Sequence, residues 1–102
     1  MVARVSTFKG SPEQLEEGVR IFTENVLPWL RDATGFRGWI ALLDRPNERA
    51  LGITFWASEE AADEGNASGG PLRDEIAQSV GALMQTIELW DVMYVDAIGL
   101  SD

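Results

Sequence analysis

Two β-rich runs, FRGWIALLDR (36–45) and RALGITFW (49–56), are separated only by Pro46, Asn47 and Glu48. So short a connection cannot carry the chain across a sheet, and the two runs must lie side by side as an antiparallel hairpin. The remaining segments have to pack on that hairpin. Upstream, VARVSTFK (2–9) is short and rich in β-formers and stops at Gly10, which predicts a further strand. SPEQLEEGVRIFTENVLPWLRDATG follows, with Ser11 placed to cap a helix, Pro12 at its first position and Gln14 completing a capping box. Leu15, Val19, Phe22, Val26 and Trp29 recur at helical spacing and form one apolar stripe, while Glu13, Glu16, Glu17, Arg20 and Glu24 take the solvent side. Pro28 removes a backbone donor, so the helix is expected to kink there before ending at Gly35.

After the hairpin, Ser58 caps a helix through EEAADEGN, and the glycines and proline of ASGGP are expected to interrupt it. A second helical piece is expected from Pro71, with Leu72, Ile76, Val80 and Leu83 on one face. TIELWDVMYVD (86–96) reads as a last strand that is substantially apolar on both faces. The order is β-α-β-β-α-β, an α+β ferredoxin-like fold in which helices cover one face of a four-stranded antiparallel sheet. Two helices cover only one face, so the apolar groups on the other predict a homodimer packed sheet against sheet.

One hundred and two residues suit one domain, spanning 1–102. The formal charge of -9 weighs against nucleic acid and anionic membrane and points to a basic or neutral apolar small molecule, or another protein, as partner. No cysteine or histidine occurs, which removes disulfides, thiolate chemistry, the usual zinc ligands and a Ser-His-Asp triad. No metal site is expected. The first residues show no signal peptide and no run suits a membrane helix, so a cytoplasmic protein is expected.

The combination of GFRGW, a hairpin, ITFWASEEAA and a short final strand resembles the antibiotic biosynthesis monooxygenase-like group of the dimeric α+β barrel superfamily. The residues that carry the resemblance are Gly35, Phe36 and Gly38 leading into the second strand, and Trp56, Ala57 and Ser58 where the third gives way to a helix. It extends from about residue 2 to 96. The group includes cofactor-free oxygenases, enzymes acting on quinols or signalling molecules and members with no known activity, and fold alone does not select among them. For the cofactor-free oxygenases the resemblance implies a planar, electron-rich aromatic or quinone-like substrate, held between helices and sheet, that loses a proton and reduces oxygen directly. The same group includes haem degraders, which use an asparagine, a tryptophan and an iron-ligating histidine. The corresponding positions here are Ala3 and Gly65, with no histidine in the chain, so haem degradation by that mechanism is not expected.

A site of this kind needs aromatic walls and one or two polar groups. Asn25, placed to hold a developing phenolate or enolate, and Tyr94, placed to anchor a substrate oxygen, are the candidate catalytic residues. A flank residue bonding a carbonyl freed by Pro28 is the alternative for Asn25, and packing is the alternative for Tyr94. Phe22, Trp29 and Ile76, on the inward stripes of the helices, are the candidate ligand contacts, with no cofactor. Trp56 is expected to be a peg at the strand-to-helix corner, since a cap and an acidic first turn follow it. A non-catalytic dimer that binds a hydrophobic ligand accounts for the missing His and Cys equally well.

Overall fold

The hairpin forms as expected and is the edge on which the sheet is built. In the computed structural model, which describes residues 1–100, strands β2 (Phe36–Asp44) and β3 (Arg49–Trp56) pair antiparallel. Strand β1 (Val2–Lys9) lies on the far side of β3, and β4 (Leu83–Asp91) on the far side of β1, giving the order β2-β3-β1-β4. All three pairings are antiparallel. This is the ferredoxin-like arrangement read from the sequence.

Helix α1 (Pro12–Asn25) starts on the anticipated capping box: Gln14 N–H donates to Ser11 Oγ at 3.2 Å, and Ser11 N–H donates to Gln14 Oε1 at 2.9 Å. A cap of this type stabilises a helix by about 1 kcal/mol. The break ahead of Pro28 falls at Val26, where α1 gives way to the short α2 (Leu27–Arg31). Gly35 then turns the chain toward β2 at φ +80°, and a Cβ there would stand 2.6 Å from Ala61 Cβ. Both the backbone angle and the space require glycine.

Helix α3 departs from expectation. It runs unbroken from Glu59 to Val80, through Gly69, Gly70 and Pro71, with Ser58 as its N-cap. Helix propensity at that segment is poor, but the small residues are what allow α3 to approach the sheet. Ala61, Ala62, Gly65, Gly69, Gly70 and Ala77 are the buried residues of the helix. Tertiary packing of this face outweighs the cost of the glycines.

The last strand is also shifted: it occupies 83–91, not 86–96. Among the described residues its only neighbour is β1, which begins at Val2 opposite Asp91, and the ladder closes as Val92 N–H donates to Met1 O at 3.0 Å. Beyond that point no strand among the described residues is left to pair with. Met93, Tyr94 and Val95 therefore lie outside the strand that was expected to hold them.

Two clusters form the core between helices and sheet, one around Val26, Leu30, Trp56 and Ala62, the other around Leu15, Ala50 and Ala77. On the opposite face Leu42 and Trp90 remain 49% and 57% exposed. No helix among the described residues is long and apolar enough to cross a membrane.

Candidate functional site

The two core clusters do not close on each other. Between the helices and the sheet lies a cleft of about 110 Å³, lined by members of both clusters. By the same measure a water needs about 10–15 Å³, so the space would take on the order of ten waters, or a small ring system. Strand periodicity explains its floor. Side chains alternate across a sheet, and Arg4, Ser6 and Phe8 of β1, Trp39 and Ala41 of β2, and Gly52, Thr54 and Trp56 of β3 line the cleft.

Aromatic rings form the walls. Phe22 of α1 packs on Trp39 with ring centroids 4.8 Å apart and planes tilted by 32°. Trp56 is only 2% exposed. Its indole N–H donates to Thr54 Oγ1 at 2.9 Å, and Phe36 meets it in a T-shaped contact at 5.4 Å. The ring is seated beneath Gly65, where a Cβ would fall 2.3 Å from its Cη2 atom. Trp56 is thus the peg expected at the strand-to-helix corner, and in the same position it forms part of the cleft wall.

Polar side chains are few. Ser6 is 4% exposed, and Gln14 is engaged in the helix cap. Arg4 Nη2 donates to Asp63 Oδ1 at 2.9 Å, Arg73 Nη1 donates to Asn66 Oδ1 at 3.0 Å, and Arg4, Asn66 and Arg73 all line the cleft. Carboxylates with lowered pKa lie at the surface instead. Glu17 is held down first by its hydrogen bond from Arg20, and Asp44 first by that from Asn47, with Arg49 adding to it.

Of the residues singled out from sequence, Phe22 and Ile76 line the cleft. Trp29 does not: it is 42% exposed and its Cζ3 atom lies over Gly69, 3.2 Å from where a Cβ would be. Asn25 is exposed at the end of α1, one residue before buried Val26, because the inward stripe passes through 22 and 26 and turns 25 outward. Tyr94 is 82% exposed, beyond the end of β4. The structure therefore does not bring Asn25 and Tyr94 together, and neither lines the cleft.

The residues missed from sequence are Arg4, Trp39, Thr54, Asn66 and Arg73. Arg4 carried a signal, since it shares strand parity with Ser6 and Phe8. Asn66 and Arg73 are seven residues apart, two helical turns, and are recognisable as neighbours only once α3 is continuous.

No protein-family model matches the chain. Two uncharacterized proteins of Mycobacterium tuberculosis, one from each of two strains, are each 27% identical over 90 residues, covering 88% of this chain. The chain spans 40% of the length of these curated relatives. Among solved structures, the cofactor-independent oxygenase SnoaB of Streptomyces nogalater superposes with a TM-score of 0.68 at 17% identity, over 92% of this chain and 94% of its own. The ActVA-Orf6 monooxygenase of Streptomyces coelicolor, solved with Nanaomycin D, gives 0.66 at 22% identity over 98% and 92%. The haem degrader MhuD of M. tuberculosis, solved with two haems, gives 0.66 at 20% over 95% and 100%. The chain has the fold of the antibiotic biosynthesis monooxygenases, and that fold supports more than one chemistry.

Proposed function

We propose that the chain is a cofactor-independent, monooxygenase-like enzyme acting on a small aromatic or quinone-like compound. The observation that carries this reading is the cleft itself: a ring-sized space walled by Phe22, Trp39 and Trp56, with a small number of polar groups at its edge. A flat ligand held against these rings is oriented and shielded from water.

The chemistry then belongs largely to the substrate. An anthrone-like compound loses a ring proton to give an electron-rich enolate. The enolate passes an electron to oxygen, the resulting pair combines at carbon, and loss of water leaves a quinone. One oxygen atom enters the product, and the other leaves as water with the two hydrogens removed from carbon. Asn66 and the guanidinium groups, which line the cleft where Asn25 and Tyr94 do not, supply hydrogen bonds to the substrate's oxygen and so favour its ionised form. Haem degradation fits poorly, since Trp56 already fills the space around Gly65 where a helical tryptophan would be needed.

A second reading is favoured by one feature of the lining. Among the described residues that line the cleft there is no Asp, Glu, Lys or Tyr, and hence no side chain suited to take the proton. On this reading the chain is a non-catalytic module that binds a hydrophobic ligand. In both, the exposed Leu42 and Trp90 on the outer face support sheet-to-sheet pairing with a second copy. Oxygen uptake during incubation with a panel of anthrones and quinols separates the two. Turnover above the uncatalysed rate is expected of the enzyme, whereas binding without oxygen consumption would leave the module.

A further inference from the structure

Two polar side chains of the cleft, Asn66 and Arg73, share one stripe of α3 with Asp63 and Gly70. Asp63, Asn66, Gly70 and Arg73 follow each other at steps of three, four and three, a single stripe of α3. At one end Arg4 reaches from β1 to Asp63, its Nη2 donating to Oδ1 at 2.9 Å. At the other, Arg73 runs back two turns to Asn66, and its Nε donates to Asp74 Oδ1 at 3.1 Å.

The charges are segregated across this line. The Arg4 and Arg73 side chains are only 15% and 14% exposed, whereas their partners Asp63 and Asp74 are 63% and 51% exposed. The counter-ions sit toward solvent, and the guanidinium groups lie among the residues that line the cleft. Their donors are not used up. Arg4 Nε is buried without a hydrogen-bond partner, and Arg73 Nη2 makes no side-chain hydrogen bond among the described residues. Gly70 makes the second half of the arrangement possible. A Cβ there would stand 3.2 Å from Asn66 Oδ1 and 3.3 Å from Arg73 Nη2, so a side chain would crowd the two partners.

A guanidinium largely withdrawn from solvent with a donor to spare is matched by an anionic oxygen, and a carboxylate accepts from two donors at once. The rest of the cleft is apolar and aromatic. We infer that the ligand is an aromatic carboxylic acid, its ring against Trp39 and Trp56 and its carboxylate received by Arg4 and Arg73. The inference rests on the reading of the cleft as a ligand site. It also revises the partner suggested by the net charge of -9, which favours basic or neutral molecules only through long-range forces. Those are largely screened beyond about 8 Å at physiological salt, whereas contacts inside a cleft are screened much less.

Calorimetric titration of the intact protein with 2-naphthoate and with its neutral isostere 2-naphthamide tests this. The expected result is at least about tenfold tighter binding of the carboxylate, near the lower bound for a charge-assisted hydrogen bond. Arg73→Met and Arg4→Met, which keep most of the apolar stem, should each shrink that preference by weakening the carboxylate more than the amide. Gly70→Ala should weaken naphthoate severalfold. Equal binding of acid and amide, or a preference that survives both arginine variants, would overturn the inference and leave the cleft as a ligand site. Binding of neither compound would overturn the ligand-site reading and the inference with it. The wild-type comparison decides the matter even where a variant fails to fold.

Discussion

Replacing Gly65 with alanine places a methyl group where the Trp56 ring already lies. The new Cβ would stand 2.3 Å from Cη2 and 2.5 Å from Cζ2, so the ring or the helix must move by roughly 1 Å to restore ordinary contact. The ring has little room to do so, because Thr54 holds its N–H and Phe36 packs edge-on against it. Overpacking of this kind costs about 1–3 kcal/mol, while alanine recovers about 0.8–1 kcal/mol of helix propensity over glycine. The clash is severe enough to fall in the upper part of the range, leaving a net loss of about 1–2 kcal/mol. Gly18 is the internal control. Its added Cβ would meet Val80 Cγ2 at 3.6 Å, an ordinary contact, so Gly18→Ala should gain about 0.5–1 kcal/mol from propensity alone. Urea unfolding should show a lowered midpoint for Gly65→Ala and a raised one for Gly18→Ala, both with unchanged slope. By heat, Gly65→Ala should lose about 4–16 °C. A Gly65→Ala protein as stable as the parent would refute the seating of Trp56 beneath α3, and with it one wall of the cleft.

Filling the cleft should separate stability from binding. A Cβ at Gly52 would lie 3.6 Å from Phe8 and 4.0 Å from Trp39 Nε1, so Gly52→Val should be as stable as the parent, gaining up to about 1 kcal/mol from strand propensity, yet bind aromatic ligands at least about tenfold more weakly as the two methyls occupy ligand space. Retained affinity in calorimetry would show that ligands bind elsewhere. Asp44, whose pKa is lowered in the folded state, contributes stability that is complete above the ordinary carboxylate range and is lost as pH falls through it toward the lowered value. Asp44→Asn should therefore flatten the acid limb of a plot of unfolding midpoint against pH, and an unaltered limb would mean that the bonds from Asn47 and Arg49 add nothing in solution. Trp90, 57% exposed on the outer sheet face, should sit in the proposed dimer contact. Light scattering is expected to give a dimer mass for the parent and a monomer mass for Trp90→Glu, and a monomeric parent would sink the sheet-to-sheet packing.

The fold was readable because its signals are local. The capping box at Ser11 and Gln14, the short connection between β2 and β3, and the cap at Ser58 each act over a few residues and recur in the structure. The errors arise where distant partners decide. Gly69, Gly70 and Pro71 read as a break, but the packing of α3 against the sheet carries the helix through them. The β pattern of VMYV continues past Asp91, but β1 offers no partner there. Those two departures also bear on the candidate site. Ending α3 early concealed the Asn66–Arg73 pairing, and extending β4 made Tyr94 a strand residue. Asn25 was attractive for standing beside a helix break, yet the one-residue offset from Val26 turns it outward. Phe22 and Ile76 were legible because an apolar helical stripe faces inward whether it meets a filled core or a cleft.

The proposed reaction transfers oxygen to an aromatic ligand held in this cleft. Incubation with an anthrone under ¹⁸O-labelled oxygen, with the product quinone analysed by mass spectrometry, tests it most directly. The expected result is enzyme-dependent formation of a quinone carrying one oxygen atom from the gas, falling to the uncatalysed rate in a folded Gly52→Val protein. Product formation that Gly52→Val leaves untouched, or a quinone whose new oxygen comes from water, would contradict it.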